Sequence, residues 1–488
     1  MKTTATIFAT LALTVGAVAY PRYVVTDIGD LPGGADASFG TDASDDGVVT
    51  GTGTDANGPL AFVWSRATGL LPLPGLPGRS QTGSLSVNTL GTVSGVAHDG
   101  TWPTGYRPVL WSATGQVTDL GLPPGVDWAL QGGLNDHGVV VTWGGTANGR
   151  RGLIWRPLTG WEVVAPPSGF NECGFSWINN KGDICGWADD RPMLYRNGSW
   201  SPLALPVGAL DAFPNFISEE GRVGGYVHMG PSLWIAGQWS AQGEFLQSPQ
   251  LPGYPSMDCF GASKEGGWIT GAAYSSDFDK ATLWSPIDGI VELNSLIDPS
   301  TPGWDLKALA INPRGLLVGW GEINGTVHAC VAVPVSTPKS INVVFGKHAG
   351  GDLDSMENAD GESLDVCKFI VPNQNVSPVT VEFEAECAIK SPFAYRVRST
   401  TSTSIAGSFQ QVVDLYDWQT MAYSPVDLRT DSLGTAWKTV ELQGSGSLAR
   451  YVGPGRTMRA RIRVRPTGPV SGSAWCVRFD RIEFVAQL

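Results

Sequence analysis

Charge is scarce in this chain of 488 residues: Asp, Glu, Lys and Arg together make up only 16%. Basic residues are the scarcer sign, 32 against 45 acidic, which leaves a formal net charge of -13. A protein that reads nucleic acid needs clustered Lys and Arg, so nucleic acid is excluded as a partner. Histidine occurs five times, and never in the His-x-x-x-His or His-Glu-x-x-His spacing of zinc hydrolases. No Cys-x-x-Cys pair is present, which removes the common zinc frameworks. A Gly-x-Ser-x-Gly elbow and a phosphate loop are also missing. These absences exclude active sites encoded in one local motif. They do not exclude a site assembled from distant repeats.

What the chain has instead is glycine (63) and proline (34), with 42% hydrophobic residues. That mix favours many short strands joined by turns. The N-terminus reads as a secretory signal peptide over residues 1–19: Lys2, an apolar run from about Ile7 to Val18, and Ala17-Val18-Ala19 as the cleavage site. No later run reaches the length of a transmembrane helix. The expected setting is therefore secreted and extracellular, with a monomeric chain. Seven cysteines are widely spaced (173, 185, 259, 330, 367, 387 and 476). A hairpin centred on Asn179 to Gly182 pairs residue 176 with Cys185 and leaves Cys173 out of register for a bridge. Buried free thiols are expected for most of the seven.

A repeat sets the expected fold. Turn glycines fall at Gly47, Gly91, Gly138, Gly182, Gly221, Gly266 and Gly315, with successive differences of 44, 47, 44, 39, 45 and 49. A period near 45 residues is the length of a four-stranded propeller blade. Each copy continues to a strand ending in an aromatic: Trp64, Trp111, Trp155, Tyr195, Trp234 and Trp284, with Val331 in the last. Those positions are expected to wedge between neighbouring blades. The clearest cores read Ile178-Asn-Asn-Lys-Gly-Asp-Ile-Cys-Gly186 and Ala310-Ile-Asn-Pro-Arg-Gly-Leu-Leu-Val-Gly319. The segment Val25-Thr-Asp-Ile-Gly29 is similar to Val117-Thr-Asp-Leu-Gly121, the last strand of the second copy, while the seventh copy lacks that strand. The N-terminal strand is thus expected to complete the seventh blade. The chain reads as all-β: a seven-bladed β-propeller over residues 20–335 closed by its N-terminal strand, a linker at 336–340, and a C-terminal β-sandwich over 341–488.

With its Ala-Ile-Asn-x-x-Gly-x-Val-x-Gly-like cores, with His328-Ala329-Cys330 and with Ala61-Phe62-Val63-Trp64, the repeat region resembles the HAF-type (His-Ala-Phe) extracellular repeats of secreted bacterial proteins. The resemblance covers about residues 23–333. It implies an extracellular location and no particular activity. The C-terminal segment resembles a β-sandwich module of secreted bacterial proteins, through Gly350 to Leu353 and the closing Trp475, Val477 and Asp480.

In that segment Glu382, Glu384 and Glu386 alternate with apolar residues, as do Arg459, Arg461, Arg463 and Arg465. Period-two alternation puts each set on one face. Neighbouring strands would pair the opposite charges. In different sheets, the arginines would instead form a ladder for an anionic glycan.

Candidate sites are few. Asp42 to Gly47 opens like a calcium loop, but position twelve is Gly53, so it reads as a blade turn. Asp352 to Glu362 is the richer carboxylate run and the one place where calcium would bind; no other cofactor is expected. The leading reading is a binding or interaction protein whose loops recognise an extracellular glycan or protein. Trp102, Tyr106, Trp128, Tyr254 and Tyr274 are the candidate ligand-binding aromatics. The alternative is a glycan hydrolase or lyase with a carboxylate pair at the channel mouth.

Overall fold

A computed structural model describes residues 20–34, 37–262, 267–275, 279–356, 362–369, 377–430, 438–443, 448–469 and 474–488. The segment read as a signal peptide lies outside them. The described chain is strands and turns, with a few single-turn 3-10 helices and no α-helix.

Residues 23–334 form seven small antiparallel sheets. The first is ordered Ser38–Ala43, Val49–Asp55, Gly58–Ser65, Gly69–Pro72. The next five repeat this plan, with the leading strand broken in two in the third and sixth. The seventh draws three strands from residues 304–334, and its fourth is the N-terminal strand Tyr23–Gly29. Tyr23 pairs with Pro334 and Val25 with Ala332, so the two ends of this region meet in one sheet.

Hydrogen bonds link each sheet to the next. Ala61 N donates to Thr82 Oγ1, Ser94 Oγ to the Gly132 carbonyl, Cys173 Sγ to Val164, Asn179 Nδ2 to Ser218, and Asn215 Nδ2 to Cys259. Lys280 joins Asp305, and Asn312 Nδ2 returns from the seventh sheet to the Ser44 carbonyl of the first. No single sheet closes on itself; the succession of sheets does, in a propeller-like arrangement.

The turn glycines have the predicted conformational reason. Gly47, Gly138, Gly182 and Gly221 sit at φ between 75° and 85°, where a side chain is strained. The residue three before the glycine has a second role. Asn88, Asn135, Asn179 and Asn312 are all buried. Each side-chain oxygen accepts backbone N–H groups of its own turn, and each amide donates to a carbonyl of a neighbouring turn. Asn179→Ala should therefore cost roughly 1–3 kcal/mol in chemical denaturation, because it strands the Lys181 and Asp183 N–H groups and removes a link to the next turn.

Three details of the repeat differ from the sequence reading. In the fifth copy the residue opposite Val223 is Trp239, the position held by Trp64 and Trp111 in their sheets. Trp239 is fully buried, so the wedge is Trp239 and not Trp234. Trp234 lies at the other end of a longer strand, Leu233–Trp239. In the last copy Ala332, not Val331, pairs with Leu317. The hairpin around Gly182 also shifts by one: a bulge at Ser176 places Trp177 opposite Cys185.

Residues 340–487 form two five-stranded antiparallel sheets. One is ordered Ser340–Phe345, Val379–Glu386, Thr457–Pro466, Phe409–Asp417, Ala422–Thr430. The other is Lys347–Gly350, Leu364–Cys367, Cys476–Gln487, Ala394–Thr403, Lys438–Gln443. Phe383 and Phe479 bring them into contact. The glutamate and arginine strands are direct neighbours, with Glu382 opposite Arg461 and Glu384 opposite Arg459. Both pairs are ion pairs at 2.6 Å. Arg463 is taken by Asp414 and Arg465 by Gln410, so the arginines serve the sheet and are no free ladder for an anion.

Five cysteines are buried free thiols, as expected for most of them, while Cys367 and Cys476 form a disulfide.

This C-terminal part packs on the first and seventh sheets. Leu488 lies against the turn at Gly47, where a Cβ would come within 2.5 Å of its side chain. Arg456 donates to the Asp45 carbonyl and pairs with Asp46. Arg398 and Arg22 share Asp298 and Glu483 across the junction.

Candidate functional site

The first turns of six of the seven repeat hairpins converge on a single cavity at one mouth of the ring; the sixth copy's turn, with Gly266, lies outside the described residues. Five residues further along the second strand the chain has travelled roughly 16 Å, towards the opposite mouth. Four copies place an aromatic there: Trp143, Trp187, Tyr226 and Trp320, all half-buried.

Each ring meets another. Trp143 packs edge-on against Trp128 at 5.3 Å and against Trp187 at 5.8 Å. Tyr226 meets Phe213 at 5.2 Å, and Trp320 meets Phe39 at 5.4 Å. Glycines make room for them, since a Cβ at Gly145 would strike the Trp128 indole and one at Gly174 the Trp187 indole. Arg150 lies over Trp187 and is held by Glu172 at 2.6 Å.

Ionisable groups join this belt at the fifth and sixth sheets. His228 stacks on Trp234 with centroids 4.4 Å apart, and its Nδ1 lies 3.4 Å from Asp211 Oδ2. The other Asp211 oxygen is buried and has no donor among the described residues. Tyr274 donates to Asp258 Oδ2 at 3.2 Å. Burial pushes the Asp258 carboxyl up to about 6, against the opposing Tyr274 bond. Burial, with Asp258 and Asp211 adding to it, also pushes Tyr226 up to about 12. The cluster combines flat apolar faces with carboxylate acceptors, the pairing that hydroxyl-rich ligands need.

The sequence-selected aromatics divide. Trp128 is in the belt, and Tyr274 is in the Asp258 cluster. Trp102 is 63% exposed, packs edge-on against Tyr106, and lies with it in the loop between the second and third strands of the second sheet. Tyr106 in turn stacks on His98 at 4.4 Å. Tyr254 packs against the core of the sixth sheet with Met257 and Trp284. Trp143, Trp187, Tyr226 and Trp320 were missed, although an aromatic five residues after the turn glycine in four of seven copies was there to be read. Trp234, which the sequence pattern places at the wedge, lies in this cluster instead. Part of the acidic run Asp352 to Glu362 lies outside the described residues. No group of three or more potential metal ligands occurs among those described.

No family model matches the chain, and no curated protein does. Solved structures give distant likenesses. A streptogramin B lyase is 14% identical with a TM-score of 0.43, covering 63% of this chain and 97% of its own. Virginiamycin B lyase from Staphylococcus aureus is 13% identical with a TM-score of 0.41, covering 63% of this chain and 98% of its own. A puromycin hydrolase is 12% identical with a TM-score of 0.40, covering 62% and 52%. At this distance the site has to be read from its own residues.

Proposed function

We propose that the chain is an extracellular binding protein: a seven-bladed β-propeller over residues 20–335, closed by the N-terminal strand, with a β-sandwich over 341–488 docked on it. The signal-peptide pattern of residues 1–19 and the resemblance to HAF-type repeats support export, and the Cys367–Cys476 disulfide fits an oxidising compartment. The recognition surface is the mouth that carries the aromatic belt, and its ligand is a glycan. One observation carries this reading: four half-buried aromatics recur at one repeat position, where the fold needs no aromatic because three other copies carry Thr52, Val96 and Ala272. The expected result is binding on a glycan array by the whole protein. Trp143→Ala and Trp187→Ala should each weaken it about tenfold, the loss of one stacked ring. Unchanged binding in both folded variants, or binding by the isolated sandwich alone, would sink the assignment.

A second reading rests on Asp258. A carboxyl held at about 6 beside Tyr274, with Asp211 on the adjacent sheet, suits a proton donor in a glycan hydrolase or lyase. Turnover would fall as pH rises through about 6, where Asp258 loses its proton. Asp258→Asn would abolish it while leaving binding intact.

A further inference from the structure

The cavity at the turn mouth, opposite the aromatic belt, has its own chemistry. Its volume is about 160 Å³. That exceeds the roughly 30 Å³ share of one water and falls short of the ~300 Å³ at which drug-sized pockets begin.

Its walls are unlike. Trp177 and Phe216 form one, with ring centroids 4.7 Å apart and both rings half-buried. They share a repeat position, five residues before the turn glycine. The third copy has Gly133 there, and the Trp177 indole lies against it, 3.3 Å from where a Cβ would stand. The first and second copies place Asp42 and Ser86 at that position and make the facing wall. Asp42 is fixed by three donors: Ala43 N to Oδ1 at 2.8 Å, with Ser86 Oγ and Val87 N both to Oδ2 at 2.9 Å.

Every ionisable residue lining the cavity is acidic: Asp42, Asp45, Asp136 and Glu219. Burial pushes the Asp42 carboxyl up to about 7 against its three donors, so it is not a full charge at neutral pH, and the rim carboxylates carry the field. No Lys, Arg or His is among the described lining residues. Asp136 is held by Thr89 and Asn180, and Glu219 by the Asn180 N–H, all neutral donors. Asp45 has Arg314 at 3.2 Å, outside the lining. The cavity is therefore a concave, negatively charged space with an aromatic side, the setting that attracts a cation with apolar substituents.

We propose that this mouth binds a small organic cation bearing a quaternary or trimethylated ammonium group, its methyls against Trp177 and Phe216 and its charge towards Asp136 and Glu219 on the acidic rim. A hard metal ion would need several oxygens converging within coordination distance. The described carboxylates do not converge in that way.

The test is calorimetric titration of the intact protein with choline, tetramethylammonium, ethanolamine and calcium at fixed ionic strength. Choline and tetramethylammonium should bind saturably and more tightly than ethanolamine. Trp177→Leu should weaken binding about tenfold, and Glu219→Gln should weaken it less, each variant checked for an unchanged thermal transition. Glu219 lies on the rim, so its variant tests charge even if an Asp42 variant fails to fold. Absence of saturable heat at millimolar choline, a preference for calcium or ethanolamine, or full binding by folded Trp177→Leu would each overturn the proposal. Trp143→Ala, at the opposite mouth, should leave choline binding unchanged; this separates the cavity from the proposed glycan surface.

Discussion

Arg398→Met should destabilise the protein by about 3–5 kcal/mol in urea unfolding at neutral pH, the cost of stranding buried charge. Arg398 is on the strand Ala394–Thr403 of the C-terminal part, while Asp298 belongs to the propeller-like ring. Its guanidinium makes two bonds to Asp298, at 2.9 and 3.1 Å, and one to Glu483 at 2.9 Å. The Asp298 side chain has no exposed surface and Glu483 keeps 3%. Methionine removes these bonds from two carboxylates held out of water: among the described residues Asp298 keeps Ser300 and a more distant Arg22, and Glu483 keeps Arg22 and Arg481. A loss under about 1 kcal/mol, the range of exposed pairs, would show that the junction is hydrated and that the two parts hold each other by apolar contact alone.

The same site gives a pH signature. Burial alone would raise the Asp298 pKa, but Arg398 and Ser300 outweigh burial and hold the carboxyl at about 2. A lowered carboxyl pKa contributes stability that is complete above the unfolded value of about 4 and disappears as pH falls through the folded one. Wild type loses this contribution between about pH 4 and pH 2, and the variant lacks the share that Arg398 supplies, keeping only that of Ser300. The stability gap between them should therefore narrow over that window, and a constant gap would assign the effect to packing.

How much of this was legible beforehand depends on whether a feature repeats. The turn glycines and Asn positions recur at a fixed spacing, so the sheets, their order and the shared last sheet could be read from one chain. The strand-ending aromatic could be read in most copies but misled in the fifth. There a longer strand carries two tryptophans, Trp234 and Trp239, and only the pairing with Val223 decides between them. The Glu and Arg strands were readable as alternating faces, and their adjacency followed from charge complementarity. Asp258 was not legible as a proton-holding group, because its raised pKa comes from burial in the folded sheets, which no local motif announces. The junction was invisible for the same reason: Asp298 and Arg398 are far apart in the chain, and neither belongs to a motif.

The double variant Cys367→Ser/Cys476→Ser should lose about 2–5 kcal/mol, the range for removing a native disulfide from a small domain. The bridge spans 109 residues. In the chain-entropy account a loop of about 100 residues contributes about 4.7 kcal/mol by restricting the unfolded chain. It also ties the short strand Leu364–Cys367 to the long strand Cys476–Gln487, with the two cysteines opposite each other in register. Nothing else covalent holds that strand, and its other neighbour is only the four-residue strand Lys347–Gly350. The remaining thiols are poor substitutes. Burial pushes Cys185 and Cys259 up to about 12 and Cys387 up to about 11, so they stay protonated and out of reach of exchange. Reducing agent should therefore reproduce the double variant and add nothing to it. Hydrogen exchange should show the loss first in the two sheets of the C-terminal part. The far mouth of the ring should keep its protection, because its hydrogen-bonded turns and aromatic contacts do not pass through the disulfide. If both halves lost protection together, the Arg398 junction would be transmitting the change, and the two parts would be one cooperative unit.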